Sequence, residues 1–187
     1  MIQKQIYVIT GGPGFGKSEL IDEFRKSGYL CSGEFARDLI EMQLTSGGEI
    51  LPWRNAKLFQ QEILRQRIAF FESVPDDTFA FADRGIPDQL AFARYKGFAD
   101  PEILSENVLN YRYAPLVFVT PPWPEIFVND AIRTETYAEA VRIHQVVLDT
   151  YTGLNYRLIE LPLVSVNERA EFIIQILKNK FYEHEST

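Results

Sequence analysis

Residues 11–18 read Gly11-Gly12-Pro13-Gly14-Phe15-Gly16-Lys17-Ser18, which satisfies the pattern G-x-x-x-x-G-K-[ST] in full. An apolar run, Ile6-Tyr7-Val8-Ile9-Thr10, precedes it, and a helix-like stretch from Ser18 to Lys26 follows. Few local patterns constrain a fold as much, because such a loop works only between a buried strand and a helix N-terminus. Glycines let the backbone curl until its N–H groups converge, and the positive end of the helix dipole adds to their field. A polyphosphate fits that field, with Lys17 at the β- and γ-phosphates and the Ser18 hydroxyl on Mg²⁺. The run from Gly11 to Ser18 is therefore expected to bind a nucleoside triphosphate.

Beyond the loop, short β-branched runs alternate with amphipathic ones. The pattern predicts strands at 4–10, 28–32, 78–82, 115–120 and 156–160. It predicts helices at 17–26, 34–46, 55–73, 86–96, 101–110, 135–152 and 167–181. This β-α alternation implies an α/β fold, with a five-stranded parallel sheet covered by helices on both faces and right-handed crossovers. Ligands of such sheets lie at the carboxyl ends of the strands, where the glycine-rich loop already is. Gly47-Gly48 and Leu51-Pro52 mark a loop between two helices, and Pro121-Pro122-Trp123-Pro124 stops the fourth strand abruptly.

The 187 residues suit one α/β domain spanning 1–187, with a lid segment at 122–137. No apolar run has the length of a membrane span, and polar and turn residues interrupt the N-terminal apolar stretch before it resembles a leader. Lone Cys31 excludes an intrachain disulfide, reads as a small buried residue at a strand end, and suits a reducing cytoplasm. Lys and Arg number 19 against 26 Asp and Glu, a net charge of −7 that argues against a nucleic-acid-coating surface. A single nucleotide needs only a few cations and stays compatible with that balance. The last residues, Glu183 to Thr187, are expected to fray.

Three further segments carry chemistry. The strand Thr78-Phe79-Ala80-Phe81-Ala82 runs into Asp83-Arg84-Gly85. A carboxylate there suits Mg²⁺, and Arg84 beside it suits a phosphate; alternatively Asp83 caps the next helix and Arg84 is solvated. Glu34 follows the second predicted strand, so it lies at the carboxyl edge, placed to accept the proton of an acceptor hydroxyl. Glu34, Arg37, Asp38 and Glu41 share one helical face, and a first-turn dipole role with an Arg37 ion pair explains Glu34 equally well. Residues 129–137 follow the proline-rich stop, so Arg133 is placed to close on the triphosphate, while Thr134, Glu135 and Tyr137 would also serve as an ordinary helix cap.

Smaller signals surround these. Phe59, Gln60 and Gln61, with Arg65 and Arg67, suit an acceptor pocket in which Phe59 stacks on a base and a glutamine reads its edge; the Phe59-Ile63-Phe70 stripe also reads as core. Asp88 suits a sugar hydroxyl or a first helical turn. His144 sits mid-helix among valines and His184 in the tail, neither at metal-ligand spacing, so no zinc site is expected. Leu161-Pro162-Leu163-Val164 is placed to touch a purine ring.

Together these residues resemble a known family. The series Gly11–Ser18, Gly28-Tyr29, Glu34-x-x-Arg37, Asp83-Arg84-Gly85-x-x-Asp88 and Arg133-Thr134-Glu135 resembles the small P-loop "AAA domain" ATPase/kinase-like family. Its relatives include nicotinamide riboside kinase domains and, more distantly, thymidylate and deoxynucleoside kinases. The resemblance runs from Ile6 to about Ile176 and implies a three-layer P-loop NTPase fold of the nucleoside/nucleotide-kinase type. It implies Gly11–Ser18 for the triphosphate, Ser18 and Asp83 for the metal, the 83–84 pair for phosphate positioning, and Glu34 as base.

Two functions follow as expectations. One is a kinase moving the ATP γ-phosphate to a nucleoside, nucleotide or related small-molecule acceptor. The other is a nucleotide-binding or slowly hydrolysing module whose state a partner reads. ATP is favoured by the lack of an Asn-Lys-x-Asp pattern, with GTP open. A monomer or homodimer is expected.

Overall fold

Side-chain alternation along Ile6–Gly11 organises the sheet. Ile6 and Val8 turn to one face and Tyr7 and Ile9 to the other, and all four are fully buried. A strand buried on both sides needs a helical layer on each, the condition for an all-parallel sheet. The computed structural model describes residues 2–97, 101–128 and 135–185. Its strands are β1 (Ile2–Gln3), β2 (Ile6–Gly11), β3 (Leu30–Cys31), β4 (Ala80–Asp83), β5 (Tyr111–Arg112), β6 (Leu116–Thr120) and β7 (Arg157–Glu160). Its helices are α1 (Lys17–Lys26), α2 (Phe35–Ser46), α3 (Ala56–Ser73), α4 (Ile86–Lys96), α5 (Pro101–Asn110), α6 (Tyr137–Gly153) and α7 (Val166–Glu185), with a 3₁₀ turn at Pro124–Ile126.

Five strands form one parallel sheet in the order β3-β4-β2-β6-β7. The chain runs from β2 to β3 and β4 on one side and then crosses to β6 and β7 on the other, so a crevice opens at the carboxyl end of β2. Register aligns Ile9 with Asp83 and Gly11 with Thr120, bringing the ends of β4 and β6 beside the glycine-rich loop. On one face α1 and α7 bury Leu20, Phe24, Ile173 and Leu177, with Phe24 stacked on Phe81 at 3.8 Å. On the other, α3, α4, α5 and α6 pack Phe71, Leu90, Val108 and Val147 against the sheet. Leu39, Ile40, Leu51, Phe59 and Ile63 form a smaller cluster between α2 and α3, beyond the sheet edge.

The five expected strands and seven expected helices are all present, with shifted ends. β3 keeps only two of five expected residues, as suits a blunted edge strand. The β1–β5 pair is unforeseen because two residues carry no readable period. α7 continues to Glu185, past its expected end at 181 and through the start of the expected frayed tail. The cap of α6 is Thr136, with Oγ1 accepting from the Glu139 N–H at 3.3 Å and Glu139 reaching back to the Thr136 N–H at 2.9 Å. The cap thus lies two residues beyond Thr134. Cys31 is only partly buried, and burial pushes its thiol up to about 11. Among the described residues no helix is long and apolar enough to cross a membrane.

Candidate functional site

Backbone demands shape the loop between β2 and α1. Gly16 sits just before α1 in the left-handed region at φ 75°, where a Cβ would come within 2.9 Å of Ile126 and 3.0 Å of Arg169. At Gly11 a Cβ would lie 2.4 Å from the Thr120 carbonyl oxygen, so close approach of β6 requires glycine there. The loop encloses a cavity of about 240 Å³ lined by residues 13–19 together with Glu34, Asp83 and Arg84. Lys17 is buried and its Nζ donates to the Gly12 carbonyl at 2.6 Å. Phe15 borders the cavity and packs its ring on Phe127, Tyr137 and His144.

At the end of β4 the Asp83 N–H donates to Ser32 Oγ at 2.8 Å, tying the tips of β3 and β4 together. Asp83 Oδ1 is buried without a hydrogen-bond partner. Burial pushes this carboxyl up to about 6, against the opposing pull of Lys17 and Arg84. An unsatisfied carboxylate oxygen sharing a cavity with Ser18 fits a hard divalent cation that takes its remaining ligands from phosphate and water. Among the described residues no three His, Cys, Asp or Glu side chains converge on a metal site.

Arg84 adopts φ 63°, a strained backbone for a residue with a Cβ. Its N–H donates to the Ile9 carbonyl at 3.0 Å, its Nη1 to Asp88 Oδ1 at 3.0 Å, and its guanidinium lies 5.1 Å from the Phe92 ring centre. Of the two places expected for Asp88, a sugar hydroxyl or a first helical turn, it takes the second, at the start of α4. It has no exposed surface, and its two oxygens accept from Thr10 Oγ1, Arg84 Nη1, the Gly85 N–H at 2.8 Å and Tyr151 Oη at 2.6 Å. With its carboxylate saturated, Asp88 supports the Arg84 turn from below.

Glu34 is the residue before α2 and borders two cavities at once. The second, about 150 Å³, adds Arg37, Ile40, Arg67 and Glu135 to Glu34, Asp83 and Arg84. It shares Ala36, Ile40, Arg67 and Glu135 with a third of about 370 Å³, walled also by Trp53, Phe59, Ile63 and Phe92. Phe59 and Gln60 both line this third cavity, so Phe59 is at once packed in the α2–α3 cluster and part of the wall. Arg37 Nε pairs with Glu41 at 3.0 Å while bordering the middle cavity. Gln61 and Arg65 face a different groove, where Arg65 pairs with Glu62 at 2.6 Å. Three cavities thus form one cleft, from the phosphate loop past Glu34 to an apolar chamber.

Two polar residues of this region, His144 and Arg169, were not evident as site residues from sequence. His144 is buried on α6, and its Nδ1 accepts the Gly12 N–H at 3.2 Å. Burial, followed by the nearby Lys17 and Arg84 charges, pushes the imidazole down to about 4, so it is neutral with its proton on Nε2. Arg169, 3% exposed, donates to the Gly16 carbonyl at 3.4 Å and lies 5.5 Å from the Trp123 ring centre. Arg67 donates from Nη1 to the Gly85 carbonyl, and Glu135 faces Lys96 at 4.0 Å across the rim of the large chamber. A polar residue on an otherwise apolar helix stripe was the available signal for His144. Arg133 and Thr134 lie outside the described residues, as does most of the central part of the expected lid.

Residues 6–169 match the model of the family described as AAA domain, and the chain belongs to that family. No curated protein sequence matches it. Among solved structures, the NadR protein in complex with NR aligns over 94% of this chain with a TM-score of 0.65 and 15% identity. The chain spans about half of that protein, 51% of its length. The deoxyadenosine kinase from M. mycoides with bound dATP aligns over 92% of this chain and 99% of its own, with a TM-score of 0.62 and 14% identity. The fold is that of P-loop nucleoside-kinase structures.

Proposed function

We propose that this member of the AAA domain family is a small-molecule kinase. It transfers the γ-phosphate of ATP to a hydroxyl of a nucleoside, nucleotide or related metabolite. The observation that carries the reading is a row of three cavities with shared walls: the phosphate-loop cavity and a middle cavity share Glu34, Asp83 and Arg84, and the middle cavity shares Ile40, Arg67 and Glu135 with an apolar chamber. A protein that only hydrolysed a triphosphate would need no chamber on the far side of those residues.

In the proposed reaction the loop N–H groups and Lys17 hold the phosphates, and the acceptor lies in the chamber with its hydroxyl directed at Glu34. Glu34 takes the hydroxyl proton as the acceptor oxygen bonds to the γ-phosphorus and the bond to the bridging β-oxygen breaks, releasing ADP. Arg84, fixed by Asp88 and the Ile9 carbonyl, offsets charge on the transferring group without having to reorganise. Ser18 and the unpartnered Asp83 oxygen would hold Mg²⁺, which when bound would supply further charge neutralisation. The deoxyadenosine kinase with bound dATP supports a nucleotide ligand for this fold, and its chemistry is extended here to the present chain.

The test incubates the protein with γ-labelled ATP, Mg²⁺ and a panel of nucleosides, nucleotides and vitamin-derived ribosides. Label on an acceptor supports the kinase. Slow phosphate release with no labelled acceptor would favour a nucleotide-state switch instead. Glu34→Gln is expected to lower transfer by about 10²-fold or more while ATP affinity stays within a few-fold. Unchanged turnover would remove Glu34 from the reaction.

A further inference from the structure

Gln89, on α4, lines the large chamber and is 3% exposed. Its Nε2 donates to the Gln60 main-chain carbonyl at 2.6 Å and to Gln60 Oε1 at 2.8 Å. A backbone carbonyl has no proton to give, so the Gln89 amide has one permitted orientation, with its NH₂ toward Gln60. Its Oε1 therefore faces away from Gln60, and that atom is buried with no hydrogen-bond partner. Because Gln60 Oε1 is already engaged, the Gln60 NH₂ is left to the side of the same pair.

An orphaned carbonyl oxygen beside an apolar wall is costly unless something completes it. Among the described residues the aromatic rings on that wall belong to Trp53, Phe59 and Phe92, which suit a flat heteroaromatic partner. Arg67 lines the same chamber, is 6% exposed, and its Nε is also buried without a partner. Arg67 borders the middle cavity with Glu34, so it lies on the route from chamber to Glu34. A ligand that satisfies both orphans has an N–H on its ring system at one end, such as an exocyclic amino group, an acceptor atom near Arg67, and a hydroxyl arm reaching Glu34.

We propose that Gln89 is the specificity-determining residue of the acceptor chamber, its Oε1 accepting an exocyclic amino N–H from the base of a nucleoside. The proposal rests on the kinase reading for the direction of the hydroxyl arm, and on the orphaned Gln89 oxygen for the identity of the base. Binding and transfer are therefore measured separately.

Equilibrium binding to the unaltered protein is measured by calorimetry for two matched pairs. Adenosine is compared with purine riboside, and cytidine with 2-pyrimidinone riboside; each pair differs only in the exocyclic amino group. The expected result is roughly 10- to 100-fold tighter binding of the amino-bearing member in at least one pair. Gln89→Met, of similar volume, is expected to erase that ratio while retaining a cooperative melt. Equal affinities within both pairs, a ratio that survives in Gln89→Met, or no nucleoside binding at all would overturn the proposal. The pairs alone decide it if the variant does not fold. Discrimination without any phosphorylated product would uphold Gln89 and sink the kinase, whereas phosphorylation of both members with equal affinity would do the reverse.

Discussion

His144 acts on the phosphate loop through one ring nitrogen, and that atom is useful only while unprotonated. The fold holds the imidazole down near 4 by burial and by the Lys17 and Arg84 charges, whereas an unfolded histidine titrates near its ordinary 6.5. Between those values the unfolded chain binds the extra proton, so stability falls as pH falls through this window and levels below it. Asn retains an acceptor near the Nδ1 position without titrating. Relative to His144→Asn, the unaltered protein is expected to lose about 3 kcal/mol between pH 7 and pH 4, followed by urea unfolding. Asp83 contributes with opposite sign, since its folded value is raised, but it is common to both proteins and cancels in the difference. Parallel pH curves for the two would remove the His144–Gly12 contact from the stability of the loop.

Elements meet at Asp88. Its carboxylate ties β2 through Thr10, the N-terminus of α4 through Gly85, and α6 through Tyr151, and it holds Arg84 in its left-handed turn. Tyr113 adds to this by accepting the Ile86 N–H at 3.2 Å. The geometry of Arg84 therefore depends on three elements meeting at one carboxylate, and not on its own turn alone. Asp88→Ala strands a guanidinium and two buried hydroxyls and is expected to cost about 3–5 kcal/mol. Tyr151→Phe removes one of the four bonds and should cost about 1–2 kcal/mol. Urea unfolding measures both, and a loss below 1 kcal/mol for Asp88→Ala would show that the junction does not carry the turn.

Across the whole molecule the cleft spans the carboxyl edge of the sheet, and its two ends are built by different layers. The phosphate end belongs to β2, α1 and β4, and the chamber to α2, α3 and α4. A ligand held at the phosphate end stabilises the folded chain by mass action. Mg²⁺·ATP at 100 times its Kd should add about 2.7 kcal/mol, raising the melting midpoint by roughly 5–10 °C. Lys17→Ala should abolish that rise in differential scanning fluorimetry. A rise that persists undiminished would mean that the triphosphate binds elsewhere.

Local sequence determined the parts whose physics is local. A β-branched run followed by G-x-x-x-x-G-K-S specifies strand, loop and helix within about twenty residues, because backbone curl and helix dipole act at short range. Periodicity likewise marked the five strands of the main sheet and the seven helices, and the strand-end positions of Glu34 and Asp83 followed from it. Tertiary structure decided what depends on the juxtaposition of distant segments. Asp88 became a buried junction because α6 delivers Tyr151 to it across 63 residues. His144 became a loop partner because α6 brings its Nδ1 to Gly12, 132 residues away. Gln89 acquired an orphaned oxygen only because α3 offers it a carbonyl that cannot donate. No window of sequence contains those pairs, and burial sets the protonation and the unmet hydrogen bonds that distinguish their chemistry.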